Sequence, residues 1–182
     1  SVWRMRGTHG DEELDLRVHF LIDATGRRSP LASSLRLQEE TDQLRTQSGA
    51  VYGHFKDLDR SDTWFRHANT SDEHPFPCDD AAVHQITTTG WMWQLRFDNQ
   101  ITSCGWGLPR QYMPRPEEDL TIWWQKRIEE FPSLRQQFSD ASVVAPEGGL
   151  QHVPRLQYLR KVISGRGWAM LPSSAGFIDP LH

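Results

Sequence analysis

The sequence is poor in several features that mark common classes of protein, and each scarcity excludes something. Cysteine occurs twice, at Cys78 and Cys104, far apart and in no Cys-x-x-Cys arrangement, so free thiols in a reducing compartment explain the pair best. No apolar run approaches the ~20 residues that a membrane-spanning helix needs, and residues 1–10 lack the order of a signal peptide. A cytoplasmic location without a membrane partner is the expectation. Charge of one sign is not in excess either: 20 Lys and Arg stand against 24 Asp and Glu, mixed along the chain. With no basic stripe to meet a phosphate backbone, no nucleic-acid partner is expected. Internal repeats and low-complexity segments are absent.

What is present fits a folded chain. Hydrophobic residues make up 37% and charged residues 24%, a composition that can bury a core at this length, as one domain or one domain with pieces of another. Eight tryptophans are many for such a chain, and flat side chains of that size belong in a core, an interface or a ligand pocket.

Patterning predicts the elements. Residues 2–6 and the alternating run 14–20 flank a polar turn and read as a hairpin whose second strand continues inward through Leu21-Ile22-Asp23. Ser29-Pro30 opens a short helix over 31–37, with Ser29 as N-cap and Pro30 in the first turn. Residues 50–55 form a strand, and 56–80 a long polar loop. Residues 82–88, 91–97 and 101–108 read as three consecutive strands of an antiparallel sheet. A helix runs from Glu117 to Phe131 and stops at Pro132, a second covers 133–138, and strands are expected at 156–163 and 168–171. Both ends read as cut, Ser1 at a strand and His182 in a loop entering a helix, so further residues are expected on either side.

Two segments carry chemistry. In Phe20-Leu21-Ile22-Asp23-Ala24-Thr25-Gly26-Arg27-Arg28 an apolar strand delivers an acid and then a glycine that lets a ligand approach the backbone closely. The plainer reading is a strand ending in a tight turn, and spacing alone leaves both open. In Leu171-Pro172-Ser173-Ser174-Ala175-Gly176-Phe177-Ile178-Asp179-Pro180 small residues precede Gly176, and Asp179-Pro180 can open a helix. There the plainer reading is Asp179 as a helix cap.

Together the two segments resemble the flavin-dependent halogenases and FAD-dependent monooxygenases. That family has a strand ending Asp-Ala-(Ser/Thr)-Gly-Arg, matched here by Asp23 to Arg27, and a later Gly-Asp-Ala-Ala-Gly-Phe-Ile-Asp-Pro, matched by Ala175 to Pro180. Between them, Trp91-Met92-Trp93-Gln94-Leu95 is similar to the halogenase Trp-x-Trp-x-Ile-Pro motif. Two departures stand out: Pro172-Ser173 replaces the family's Gly-Asp, and Leu95-Arg96 replaces Ile-Pro. The Gly-x-Gly-x-x-Gly fingerprint and the lysine of such halogenases do not occur in this chain, so its catalytic residues are not assigned.

The resemblance implies an α+β chain in which an antiparallel-sheet substrate domain with helices, residues 37–165, is flanked by partial Rossmann-like FAD-binding segments, 1–36 and 166–182. It implies FAD as cofactor, with Asp23, Gly26, Arg27, Ser173, Gly176, Phe177, Asp179 and Pro180 at its site and Trp91 and Trp93 lining the substrate pocket. The expected reaction is halogenation or hydroxylation of a small organic, aromatic substrate with oxygen and reduced flavin, supplied by a reductase partner or a nicotinamide. A geranylgeranyl-reductase-like flavoenzyme and a non-catalytic module that lost its flavin are the alternatives.

Other groupings carry less. His67, His74, Cys78, Asp79 and His84 share a polar region but match no standard zinc spacing, so no metal is expected. One member of Trp123-Trp124 is expected in the core and the other at a pocket or interface. No Ser-His-Asp set is assignable from order alone.

Overall fold

The structure, a computed structural model, describes residues 2–67 and 75–179, with the backbone alone at 66 and 67. The chain divides into two compact units, 1–46 with 156–182, and 47–155.

In chain order, β1 (Trp3–His9) and β2 (Glu12–Val18) form an antiparallel hairpin around Gly10, in register from Trp3 against Val18 to His9 against Glu12. The expected continuous strand into Asp23 does not form. The chain breaks at 19–20, and β3 (Leu21–Asp23) joins another sheet, because its backbone pairs with residues 168–170. Ser29 caps α1 (Pro30–Leu35) by accepting from the Ala32 amide at 2.8 Å.

β4 (Ser48–Lys56) opens the second unit. The expected loop over 56–80 instead holds α2 (Ser61–His67) and a 3-10 turn at Cys78–Asp80; residues 68–74 lie outside the described residues. β5 (Val83–Thr87), β6 (Gly90–Arg96) and β7 (Thr102–Pro109) follow as the alternation predicts. α3 (Leu120–Glu129) starts later than Glu117, because Asp119 takes the cap and accepts from the Ile122 amide at 2.9 Å. Pro132, which cannot continue a helix, begins the next one, α4 (Pro132–Gln137). Two short strands that the pattern did not announce, β8 (Ser142–Ala145) and β9 (Gln151–Val153), pair with β4. The chain ends in β10 (Tyr158–Leu159), β11 (Ser164–Gly165), β12 (Trp168–Met170), α5 (Pro172–Ala175) and β13 (Gly176–Phe177). The strand expected over 156–163 shortens to β10, whose partner β13 offers two residues.

In the first unit, β12 lies between β11, antiparallel, and β3, parallel. Leu31 and Ala32 of α1 pack with Trp168 and Met170 of β12 and with Ala175, and Trp3, Leu21 and Leu35 border this core. Residues 37–40 and 159–161 also belong here. The Leu37 amide donates to the Ala32 carbonyl at 2.9 Å, Glu40 to Leu159 at 2.7 Å, and Lys161 to Gln38 at 3.0 Å.

The second unit is a six-stranded sheet in the order β5-β6-β7-β4-β8, with β9 also on β4. Alternation gives it two unlike faces. Val51, Phe55, Met92, Trp106 and Leu108 pack on Trp124 and Ile128 of α3 and Leu134 of α4. Trp124 is the core member of the tryptophan doublet, 5.2 Å from Phe55 ring to ring, and Trp123 is partly buried against the same cluster. Buried amides fasten the helices to the strands: Gln137 of α4 donates to Gln94 of β6 at 3.0 Å and to the Asp59 carbonyl at 3.0 Å. The architecture is thus mixed helix and sheet with antiparallel sheets. Among the described residues, no helix is long and apolar enough to cross a membrane.

Candidate functional site

Asp23 is the residue on which two distant segments meet. It closes β3, is 3% exposed, and its carboxylate receives four hydrogen bonds. Oδ1 accepts from the Thr25 amide at 2.9 Å, the Thr25 hydroxyl at 2.7 Å and the Ser174 hydroxyl at 3.0 Å, while Oδ2 accepts from the Ser29 hydroxyl. Burial works to raise its pKa, but the donors together win and hold it down to about 2. Ser174 is fully buried, and its Oγ also accepts from the Gly26 amide at 2.9 Å. The turn after β3 and the turn after β12, each singled out in the sequence, are therefore one structure.

A second layer surrounds this joint. The buried Arg160 guanidinium donates from Nε to the Ser174 carbonyl at 2.9 Å and from a terminal nitrogen to the Arg27 carbonyl at 2.6 Å. Glu39 pairs with Arg27 at 3.1 Å and lies 3.8 Å from Arg160. The Arg27 guanidinium also sits 4.8 Å over the Tyr158 ring, whose hydroxyl donates to the Ser173 carbonyl. Burial pushes the Tyr158 pKa up, against the lowering influence of Arg160 and Arg27.

The remaining residues of the two segments differ in access. Gly26 has φ +77, a left-handed conformation that favours glycine, and an added Cβ would meet nothing nearer than the Ser173 carbonyl at 3.9 Å. Ser173 and Phe177 are exposed, whereas Asp179 is fully buried. Gly176 is needed for close approach, since a Cβ would fall 2.8 Å from the Tyr158 carbonyl. Pro180 and the helix expected after it lie outside the described residues. Sequence reasoning missed Ser174, Arg160, Glu39 and Tyr158 as site residues. Ser174 lay inside the second segment, whereas Arg160, with Lys161 beside it, Glu39 and Tyr158 gave no signal.

Trp91 and Trp93 project from the face of the large sheet opposite α3 and α4. They face Gly107 and Gly105 directly across β7, and their rings are 5.6 Å apart. Tyr52 lies 6.3 Å from Trp93, and His84 packs edge-on against Trp91 at 5.2 Å. Trp91 is buried and Trp93 half-buried. A separate groove of about 970 Å³, floored by Phe55, Trp124, Ile128 and Phe138, opens on the helix side; the tryptophan pair takes no part in it.

Of the polar residues weighed as metal ligands, Cys78 and Asp79 come together, with Asp62 as the third member. All three are engaged within the protein. Asp79 accepts from the amides of Ser61 at 3.0 Å and Asp62 at 2.9 Å, capping α2 from outside, while Asp62 accepts from the Cys78 amide and thiol, each at 2.9 Å. Burial first, then Asp62, pushes the Cys78 thiol up to about 12. His84 is on β5, apart from them, and the His67 side chain and His74 lie outside the described residues.

Two curated relatives of the chain are halogenases. The tetracycline 7-halogenase of Kitasatospora aureofaciens is 31% identical over 181 residues, covering 94% of this chain and 32% of that protein. The chain resembles the flavin-dependent halogenases over nearly its whole length. The monodechloroaminopyrrolnitrin halogenase PrnC of Pseudomonas fluorescens is 26% identical over 168 residues, covering 89% of this chain and 28% of its own. The chain spans about a third of the length of these curated relatives. No family model matches it. Among solved structures, halogenase PltM in complex with phloroglucinol and FAD superposes with a TM-score of 0.77 at 24% identity, covering 99% of this chain and 38% of its own. The myxobacterial chondrochloren halogenase CndH gives 0.71 at 20%, with 99% and 38% coverage. These two show a shared fold.

Proposed function

We propose that the chain is a section of an FAD-dependent halogenase that uses reduced flavin and oxygen to halogenate a small, electron-rich aromatic compound. The observation that carries this reading is the alignment of 94% and 89% of the chain with two curated halogenases. Halogenation is placed ahead of hydroxylation because a third curated relative, from Pseudomonas fluorescens, is likewise a chlorinase. The parallel β3–β12 pair with α1 is read as part of a Rossmann-like FAD-binding domain, and residues 47–155 as the substrate domain.

The residues present suit a flavin in a specific way. Gly26 is open on the side where a Cβ would stand, and Ser173 beside it is exposed, so backbone and a hydroxyl are left for a ligand. Gly176, Phe177, Asp179 and Pro180 complete the proposed set. Asp23 already accepts four hydrogen bonds from within the protein, three at Oδ1 and one at Oδ2, so its part is to hold the Gly26 and Ser174 turns in place. Arg27, committed to Glu39 and Tyr158, fixes the same turn. When bound, the flavin supplies the redox chemistry with oxygen that no side chain here can perform. Trp93, half-buried beside the buried Trp91, offers flat apolar surface that stacks on a planar ring, and the pair keeps water away from it. A flavin reductase as electron donor and a cytoplasmic location belong to the same proposal.

The test uses the full-length gene product, titrated with FAD and then supplied with a flavin reductase, NADH, oxygen, phloroglucinol, and chloride or bromide. A flavin band that bleaches and recovers, with a halide-dependent mass increase in the product, is expected. Oxygenated product without halogen would move the reading to a hydroxylase, and no flavin uptake would move it to a module without cofactor.

A further inference from the structure

We infer that Arg160 is a positioning residue of this site, the fastener that sets the Asp23–Arg27 turn against the Pro172–Ala175 turn. The role rests on the flavin reading of the two turns. Arg160 belongs to neither motif, yet it reaches into both: Nε holds the Ser174 carbonyl at 2.9 Å and a terminal nitrogen holds the Arg27 carbonyl at 2.6 Å. Its own backbone amide donates to the Ala175 carbonyl at 2.8 Å, so main chain and side chain grip the second turn together.

The choice of residue follows from the geometry. Two carbonyls that diverge from one centre require a planar fork of donors, which arginine has and lysine lacks. A guanidinium that is 7% exposed also needs a counter-charge. Glu39 supplies it at 3.8 Å while binding Arg27 at 3.1 Å. Arg160, Glu39 and Arg27 thus form a closed ring around the turn.

The carbonyl that Arg160 holds belongs to Ser174, the residue whose hydroxyl receives the Gly26 amide and donates to Asp23. Displacing Ser174 therefore moves Gly26, the open position of the first turn. Arg160 acts on the cofactor through these backbones.

The experiment compares full-length wild type with Arg160→Gln, Arg160→Lys and Leu31→Ala, the last a core truncation in the same unit that removes none of the hydrogen bonds between the turns. FAD affinity is measured by fluorescence titration, and amide hydrogen exchange of peptides covering 23–28 is followed without flavin. Loss of two charge-assisted hydrogen bonds predicts about 10- to 100-fold weaker FAD binding in Arg160→Gln, with little rescue by lysine. Leu31→Ala is expected to lose thermal stability while keeping wild-type affinity. Exchange at 23–28 is expected to rise in Arg160→Gln well beyond its rise in Leu31→Ala. Wild-type affinity in both Arg160 variants would overturn the role while leaving the flavin reading standing. Equal exchange in Arg160→Gln and Leu31→Ala would overturn it as a general loss of stability. Wild type that takes up no FAD would instead defeat the flavin reading, and with it the role at that cofactor, even if exchange still showed the turns to be fastened.

Discussion

The indole of Trp93 lies over the backbone of Gly105, its direct cross-strand partner, so closely that a Cβ at 105 would fall 2.1 Å from Cζ2. Gly107 stands in the same relation to Trp91, with 2.7 Å to Cε2. On its other side Gly105 faces Tyr52 of β4, so the missing side chain leaves a slot in the sheet that the indole fills. The orientation of the tryptophan pair is thus set by two glycines on the neighbouring strand.

It follows that Gly105→Ala in the full-length protein should cost about 2 kcal/mol, the usual scale of overpacking. Trp93→Leu should relieve the clash. A double-mutant cycle in urea is expected to show a coupling of about 1–2 kcal/mol between the two positions. Additive effects would mean that the indole does not occupy the slot.

Acid should loosen the joint at Asp23. Its folded pKa of about 2 lies below the ordinary 3.8, so the charged form is favoured by folding. That contribution is complete above about pH 4 and is lost as pH falls toward 2. Asp62, also held to about 2, adds a second contribution from the other unit. Asp23→Asn should be less stable at neutral pH and should show a shallower loss between pH 4 and 2 by denaturant titration. An unchanged slope would remove Asp23 as a contributor.

Two aspartates that look alike in sequence should behave differently. Asp79→Ala removes the cap of α2 and should cost about 1–2 kcal/mol, with FAD uptake unchanged. Asp179→Ala should weaken flavin retention. Equal retention by the two variants, measured after gel filtration, would take Asp179 out of the proposed site.

Neither thiol should react readily in the folded state. With a pKa of about 12, Cys78 is thiolate in only about one molecule in ten thousand at pH 8, and Cys104 is fully buried, with its pKa also pushed up by burial. Alkylation at pH 8, mapped by peptide mass spectrometry, should label both only after unfolding. Rapid labelling of Cys78 in the native protein would contradict its bond to Asp62.

The elements most legible in the sequence were those set by local rules. Alternation marked β5, β6 and β7, and Ser29-Pro30 marked the start of α1. Less legible was anything settled by a distant partner. β3 read as the end of a hairpin strand, but its pairing lies with Trp168–Met170. α2 read as loop because its cap, Asp79, comes from beyond the helix rather than before it.

The sequence by itself determined the composition of the two turns and the tryptophan pair, since close backbone approach needs small residues and stacking surfaces need large flat ones. Which side chains hold those features was decided by tertiary structure alone. Arg160 and Glu39 lie outside both motifs, Ser174 lies inside one without being marked by it, and Gly105 and Gly107 lie within a stretch read simply as a strand. Their importance comes from hydrogen bonds and van der Waals contacts between segments that pairing in space brings together, and no local pattern records such contacts.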